Sequence, residues 1–303
     1  MPTPTLSPAA FARLRDARFD DPAAISAAWS ARARRPIGGA DSKLFIVAAD
    51  HPARGANAVG DDRLAMADRE DLLNRLATAL SRPGVDGVLG TPDVLDDLAF
   101  LGCLEGKLAV GSMNRGGLAS SAFEIDDRFT GHTAAGMARD GIDLAKTLLR
   151  INLGDPATAS ALEANARAVN DCAAEDIPVM IEPFLNEWAD DRVRNILTPE
   201  AVITSIGIAQ GLGTSSAHTW LKIPVVDDMD RVLAATTLPT LLLGGERSDD
   251  PEATFRSWEA ALALPGVRGL VIGRSIVYPA DGDVGAAVDR AAALVHGSER
   301  TSA

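Results

Sequence analysis

A lysine stands in the middle of an otherwise apolar run, TWLKIPV at residues 219–225. Burying an unpaired ammonium is costly, so Lys222 needs either a carboxylate partner or a chemical use. An amine held in a partly dry pocket loses proton affinity and becomes a nucleophile able to form a Schiff base with a carbonyl. Three further charges fall in similar runs. Asp50 closes LFIVAAD at 44–50, Lys146 lies inside LAKTLLRI at 144–151, and Glu182 follows PVMI at 178–181. Alternate strand residues face opposite sides. Trp220 and Lys222 therefore share one face, Met180 and Glu182 another, and Lys146, Leu148 and Arg150 a third, each expected to point into a common lumen. Each charge has a plain structural explanation: Asp50 as a cap in the turn sequence DHP, Glu182 and Lys146 as partners of one another. Convergence of all four on one pocket is the stronger expectation.

The elements that must position them can be read in order. Apolar runs at 44–50, 84–90, 107–111, 144–151, 178–183, 219–225, 239–245 and 269–274 alternate with helical patterns through the 303 residues. Eight such alternations indicate an α/β fold, a (β/α)8 TIM barrel. An open doubly wound sheet is the alternative, disfavoured because no G-x-G-x-x-G fingerprint follows the first run. The expected organisation is an N-terminal helical extension over 1–40, a barrel catalytic domain over 41–297 and a loose tail over 298–303. Within the extension, a helical pattern over 7–35 ends in Arg32, Arg34 and Arg35, read as a solvated helix end that complements the dipole. A helix is expected over 62–80, and a long loop over 112–128.

Barrel enzymes carry their chemistry at the C-terminal ends of the strands and often hold phosphate with the loops after strands seven and eight. Asp50 and Glu182 end the first and fifth runs. GGERS at 244–248 and GRS at 273–275 occupy the two phosphate positions, where Gly244, Gly245 and Gly273 let the backbone approach an anion and Arg274 adds a charge-assisted contact. Arg150 is a candidate for a substrate carboxylate, or else one half of a strand-lining ion pair.

Composition narrows the partners. Net charge is −13 and the pI about 4.7, which leaves no basic footprint for nucleic acid. The two cysteines and four histidines are scattered, without metal-ligand spacing, so neither a metal nor a cofactor is expected. No apolar run reaches the ~20 residues of a membrane span, and the MPTPT start shows no secretory pattern. A cytoplasmic homo-oligomer acting on a small molecule is the expectation.

Several motifs carry a resemblance. AADHP at 48–52, TWLKIP at 219–224, LLLGG at 241–245 and IGRS at 272–275 resemble the class I (Schiff-base) aldolase superfamily. That superfamily groups the deoxyribose-phosphate, archaeal-type fructose-bisphosphate and tagatose-bisphosphate aldolases. GIDLAKTLLR at 141–150 and IEP at 181–183 look most like the tagatose-bisphosphate branch. The whole chain is also similar to an actinobacterial aldolase-like barrel family linked to inositol catabolism, which suggests a 2-deoxy-5-keto-6-phosphogluconate-type substrate. The resemblance implies that Lys222 is the Schiff-base lysine, Glu182 a proton-transfer residue and Lys146 a charged neighbour. It also implies that Asp50 contacts substrate hydroxyls or the carbinolamine, and that Gly244, Gly245, Gly273 and Arg274 cradle phosphate. The chain departs from the archaeal fructose-bisphosphate enzymes in having Tyr278, its one tyrosine, past the last strand, and from the deoxyribose-phosphate enzymes in lacking a lysine on the seventh.

The expected function is a metal-independent aldolase for a phosphorylated sugar or sugar acid. Its rivals are a Schiff-base transferase of thiolase or transaldolase type, a metal-dependent lyase using Asp50, Asp93 and Glu182, and a non-catalytic sugar-phosphate sensor.

Overall fold

The computed structural model describes residues 6–39, 41–190, 192–245 and 250–297. The first helical pattern breaks into α1 (Pro8–Asp20) and α2 (Ala23–Ala31), since Pro22 brings no backbone N–H to a continuous helix. The alternation then runs β1 (Leu44–Ala48), α3 (Arg69–Leu80), β2 (Gly87–Gly90), α4 (Pro92–Phe100), β3 (Leu108–Ser112), α5 (Ala134–Asp140) and β4 (Leu144–Ile151). It continues through α6 (Ala157–Ala174), β5 (Val179–Ala189), β6 (Arg192–Asn195), α7 (Pro199–Gln210), β7 (Thr219–Ile223) and α8 (Met229–Leu233). The chain closes with β8 (Thr240–Leu243), α9 (Pro251–Leu262), β9 (Val267–Ile272), α10 (Arg274–Val277) and α11 (Val284–His296).

Strand order around the sheet is β4-β3-β2-β1-β9-β8-β7-β5, and β4 pairs again with β5, so eight parallel strands close into a TIM barrel. The two faces of each strand feed two separate apolar clusters. Leu44, Ile46, Leu108, Val110, Leu144, Met180, Leu241 and Val271 pack inside the barrel. Their alternates, such as Phe45, Val47, Ala145, Ile181, Leu221 and Leu270, pack outward under the helices. Burying each large aliphatic side chain contributes roughly 1.5–3 kcal/mol. The period of two assigns the faces: Leu144 in the lumen puts Lys146, Leu148 and Arg150 above it on the same side.

Three expectations need correction. The helix expected over 62–80 starts at Arg69, where the Asp68 carboxylate accepts the Asp71 amide at 3.0 Å and fixes the N-terminus. The fifth strand does not stop at Pro183: β5 runs on to Ala189 and pairs antiparallel with β6, lifting a hairpin over the barrel mouth. The arginine cluster after α2 is not a solvated helix end. The Arg32 side chain is 1% exposed and pairs with Asp143 at 3.0 Å, Arg34 takes the other oxygen of Asp143, and Arg35 pairs with Asp86 at 2.6 Å. Asp86 and Asp143 precede β2 and β4 and also accept the amides of Phe45 and Ala109. The N-terminal segment thus caps the bottom of the barrel, away from the strand ends that carry the site. The proposed loose tail over 298–303 lies outside the described residues. Among the described residues, no helix is long and apolar enough to cross a membrane.

Candidate active site

Four charged side chains form a chain across the upper lumen. Lys222 Nζ lies 2.9 Å from Glu182 Oε1; Glu182 Oε2 lies 2.8 Å from Lys146 Nζ; and Lys146 Nζ donates to Asp50 Oδ2 at 2.9 Å. All four are nearly buried: side-chain exposures are 7% for Lys222, 9% for Glu182, 3% for Lys146 and 12% for Asp50. Barrel register sets their heights. Lys146 stands beside Met180, Glu182 beside Leu148, and Lys222 beside Leu241. Beyond the end of β3, the Asn114 carboxamide takes over the ladder, donating to Leu148 O at 2.7 Å and accepting Leu148 N at 2.8 Å. That fixes the upper part of β4, which carries Leu148 and Arg150.

Two lysines in one chain of charges are driven in opposite directions. Burial pushes both amines down. For Lys146 the carboxylates on either side, Asp50 and Glu182, outweigh burial and raise its pKa. Lys222 has one adjacent carboxylate and feels the Lys146 ammonium, so its pKa stays below the ordinary 10.5. Burial pushes the Glu182 carboxyl up, but Lys146 and Lys222 overcome it and hold it at about 2. Asp50 is likewise held well below the carboxylate range by Lys146 against burial. The arrangement sets a buried amine of lowered basicity against an ionised carboxylate, which is what a nucleophile and its proton acceptor require.

This chain of charges opens into a cavity of about 720 Å³ at the C-terminal ends of the strands. Gly244, Gly245, Gly273 and Arg274 line it together with Lys222 and Glu182, and so does Arg150. Close packing explains two of the glycines: a Cβ at Gly244 would meet Ile272 at 2.6 Å, and one at Gly273 would meet Ala48 O and the His51 ring at 2.7 Å. Gly245 adopts φ of 68°, the left-handed region. The Gly244 amide is already used by Val271 O at 3.3 Å. Residues 246–248 of the expected phosphate loop lie outside the described residues. Arg150 forms the strand-lining ion pair that was its alternative, with Glu124 at 3.1 Å, while still lining the cavity.

Asp93 does not join this constellation. It pairs with Arg69 and accepts the Thr91 hydroxyl at 2.6 Å, and Asp50 and Glu182 already hold ammonium groups. The three carboxylates of the metal-lyase alternative are therefore not assembled as ligands. Tyr278 stacks under the Arg75 guanidinium, 4.5 Å from its ring centre, and is not among the cavity-lining residues.

Sequence reasoning missed His51, Arg54 and the β6 hairpin residue Arg194, which all line the cavity. The His51 Nδ1 is buried without a hydrogen-bond partner and stands 3.8 Å from Asp50. Burial, then the Arg54 and Arg274 charges, hold its pKa at about 3 despite Asp50, so the ring is neutral. Position after Asp50 was the available signal for His51; nothing local marked Arg194.

The fold and this charge arrangement define a TIM-barrel protein with a buried lysine at the base of a cavity. The chain belongs to the Cgl0159-like family, whose model matches residues 42–292. It is 58% identical to Cgl0159 from Corynebacterium glutamicum, whose crystal structure superposes with a TM-score of 0.95 over 97% of this chain and 99% of that one. At 20% identity it shares its fold with a Schiff-base-forming fructose-1,6-bisphosphate aldolase (TM-score 0.62, 90% of this chain and 100% of that one). A fructose-bisphosphate aldolase from Slackia heliotrinireducens superposes at 15% identity with a TM-score of 0.58, over 97% of this chain and 93% of that one. No curated protein matches the chain.

Proposed function

We propose that this protein is a class I aldolase that cleaves or forms a carbon–carbon bond in a phosphorylated sugar or sugar acid, without a metal, through a Schiff base on Lys222. The observation that carries this reading is the Lys222 amine, 7% exposed, lowered in basicity and 2.9 Å from the Glu182 carboxylate. In the cleavage direction, the neutral amine adds to the substrate carbonyl and the carbinolamine loses water to give an iminium. Glu182 takes the proton from the β-hydroxyl as the carbon–carbon bond breaks; the bonding pair moves into the iminium and leaves an enamine and an aldehyde. Protonation of the enamine carbon and hydrolysis return Lys222. Lys146, kept charged between Asp50 and Glu182, holds the growing alkoxide; Asp50 fixes Lys146. The cavity end at Gly245, Gly273 and Arg274 takes the phosphate, with Gly244 packed behind it. A 2-deoxy-5-keto-6-phosphogluconate-type substrate of inositol catabolism, or a ketose (bis)phosphate, fits this reading. The Schiff-base chemistry of the fold neighbour lends it support from outside the chain.

Borohydride reduction in the presence of candidate substrates is expected to add the reduced substrate mass to the peptide carrying Lys222. Lys222→Met is expected to lose both label and turnover. Label on another lysine, or full turnover by the variant, overturns the scheme.

A further inference from the structure

The cavity is lined by more arginines than one phosphate uses. Among the described residues, Arg54, Arg150, Arg194 and Arg274 line it together with Glu182, and Arg150 and Arg194 pair with Glu124 and Asp190. Glu182 is already shared between Lys146 and Lys222.

Two of these cations belong together. Arg150 rises from the lumen face of β4; its Nε donates to Gly116 O at 2.7 Å and its Nη2 pairs with Glu124 at 3.1 Å. Its Nη1 has no protein partner among the described residues. Arg54 ends the single 3-10 turn Pro52–Arg54 after β1. Its backbone is fixed, with the amide on His51 O at 3.1 Å and the carbonyl accepting Ala119 N at 2.9 Å. Its guanidinium makes neither a hydrogen bond nor an ion pair among the described residues. After burial, Arg54 is the strongest influence lowering the Arg150 pKa, so the two like charges repel across the cavity wall. An oxyanion between them removes that repulsion and satisfies donors that no protein group uses.

We propose that Arg54 and Arg150 form a second oxyanion subsite, so that the substrate carries two anionic groups, with a carboxylate or a second phosphate at the end remote from the Gly245–Arg274 phosphate position. In the closed ring of strands β4 stands opposite β9, and β7, which carries Lys222, lies midway between them. A substrate stretched between the two subsites therefore presents an internal carbon to Lys222. This deepens the reading of the cavity as the site of a phosphorylated aldolase substrate and rests on it.

The test uses sugar alcohols and a sugar acid that have no aldehyde or ketone, so that binding is read apart from Schiff-base chemistry. Calorimetric titrations of the intact protein compare sorbitol 6-phosphate, 6-phosphogluconate and a hexitol 1,6-bisphosphate. At least one of the two probes with a second anionic group, 6-phosphogluconate or the bisphosphate, is expected to bind roughly tenfold more tightly than sorbitol 6-phosphate, as one added charge-assisted contact requires. Whichever of the two gains shows whether the subsite takes carboxylate or phosphate. Arg54→Gln is expected to abolish that gain while leaving sorbitol 6-phosphate affinity in place. Arg150→Gln is expected to do the same, with its melting curve taken alongside because Arg150 also anchors the loop at Gly116. Equal affinity for all three probes, no binding of any, or an Arg54→Gln variant that keeps the gain or weakens all three alike, overturns the subsite. Failure of borohydride labelling with the preference for a second anionic group intact would instead sink the aldolase reading and leave the subsite standing.

Discussion

Lys146 and Lys222 share Glu182 yet differ in one respect that decides their chemistry. Lys146 is flanked by two carboxylates and Lys222 by one. Removing Lys146 as Lys146→Met takes away a neighbouring ammonium and leaves Glu182 to Lys222 alone. The pKa of Lys222 then rises, and the pH profile of borohydride trapping is expected to move to the alkaline side of wild type. An unmoved profile would show that Lys146 does not tune the amine. Glu182→Gln separates the steps differently: kcat is expected to fall by roughly 10²–10⁴, the usual worth of a positioned acid–base group, while trapping at Lys222 persists. Loss of trapping together with turnover would assign Glu182 to holding the lysine. At this scale much was legible. Asp50, Lys146, Glu182 and Lys222 stood out as charges in apolar runs. His51 and Arg54 did not, because a histidine or arginine in a turn is ordinary until its surroundings are known.

Among the elements, the N-terminal segment and the β5–β6 hairpin were the ones that sequence misassigned. Arg32, Arg34 and Arg35 follow a helix, and local chemistry makes a helix end with basic residues an unremarked surface. Arg32 is buried, and Arg35 half-buried, through partners remote in the chain, Asp143, 111 residues from Arg32, and Asp86, with the Lys107 and Gly141 carbonyls also on Arg32. Arg32→Met removes the buried partner of Asp143 but leaves it Arg34 and the Ala109 amide, and a loss of about 1.5–3 kcal/mol in urea unfolding is expected, the usual worth of a hydrogen bond to a charged group. A loss under about 1 kcal/mol would show that Arg34 replaces it. The hairpin was hidden for a related reason. Pro183 interrupts the β5 run, and a proline in a strand usually signals its edge or end. Here β5 continues past it, and the β6 residues Val193 and Arg194 reach the cavity.

For the molecule as a whole, the lower rim joins the C-terminal helix to the strands. His296 at the end of α11 places Nδ1 2.6 Å from Asp41 and Nε2 3.0 Å from Asp86, the geometry of an imidazolium donating to both. Burial lowers its pKa, but the Asp86 and Asp41 carboxylates overcome this and raise it above the ordinary 6.5. A raised histidine contributes stability that is fully present below 6.5 and is lost as pH rises through the folded value. The Tm difference between wild type and His296→Gln is therefore expected to be largest near pH ~6 and to narrow toward pH ~9. A difference that widens with pH would mean that the ring is held neutral.

The sequence by itself determined which runs are strands and which face of each is inward, because alternation is a property of the local backbone and needs no partner. From that parity alone, Lys146, Glu182 and Lys222 could be placed in one lumen. Only the tertiary structure decided who meets whom: that Glu182 bridges the two lysines, that Asp50 belongs to Lys146, and that Arg54 and Arg150 line one cavity. Those pairings join residues tens of positions apart, such as Lys146 and Asp50, separated by 96. They also set the charges, because one amine with two carboxylates and another with one are indistinguishable until the barrel closes.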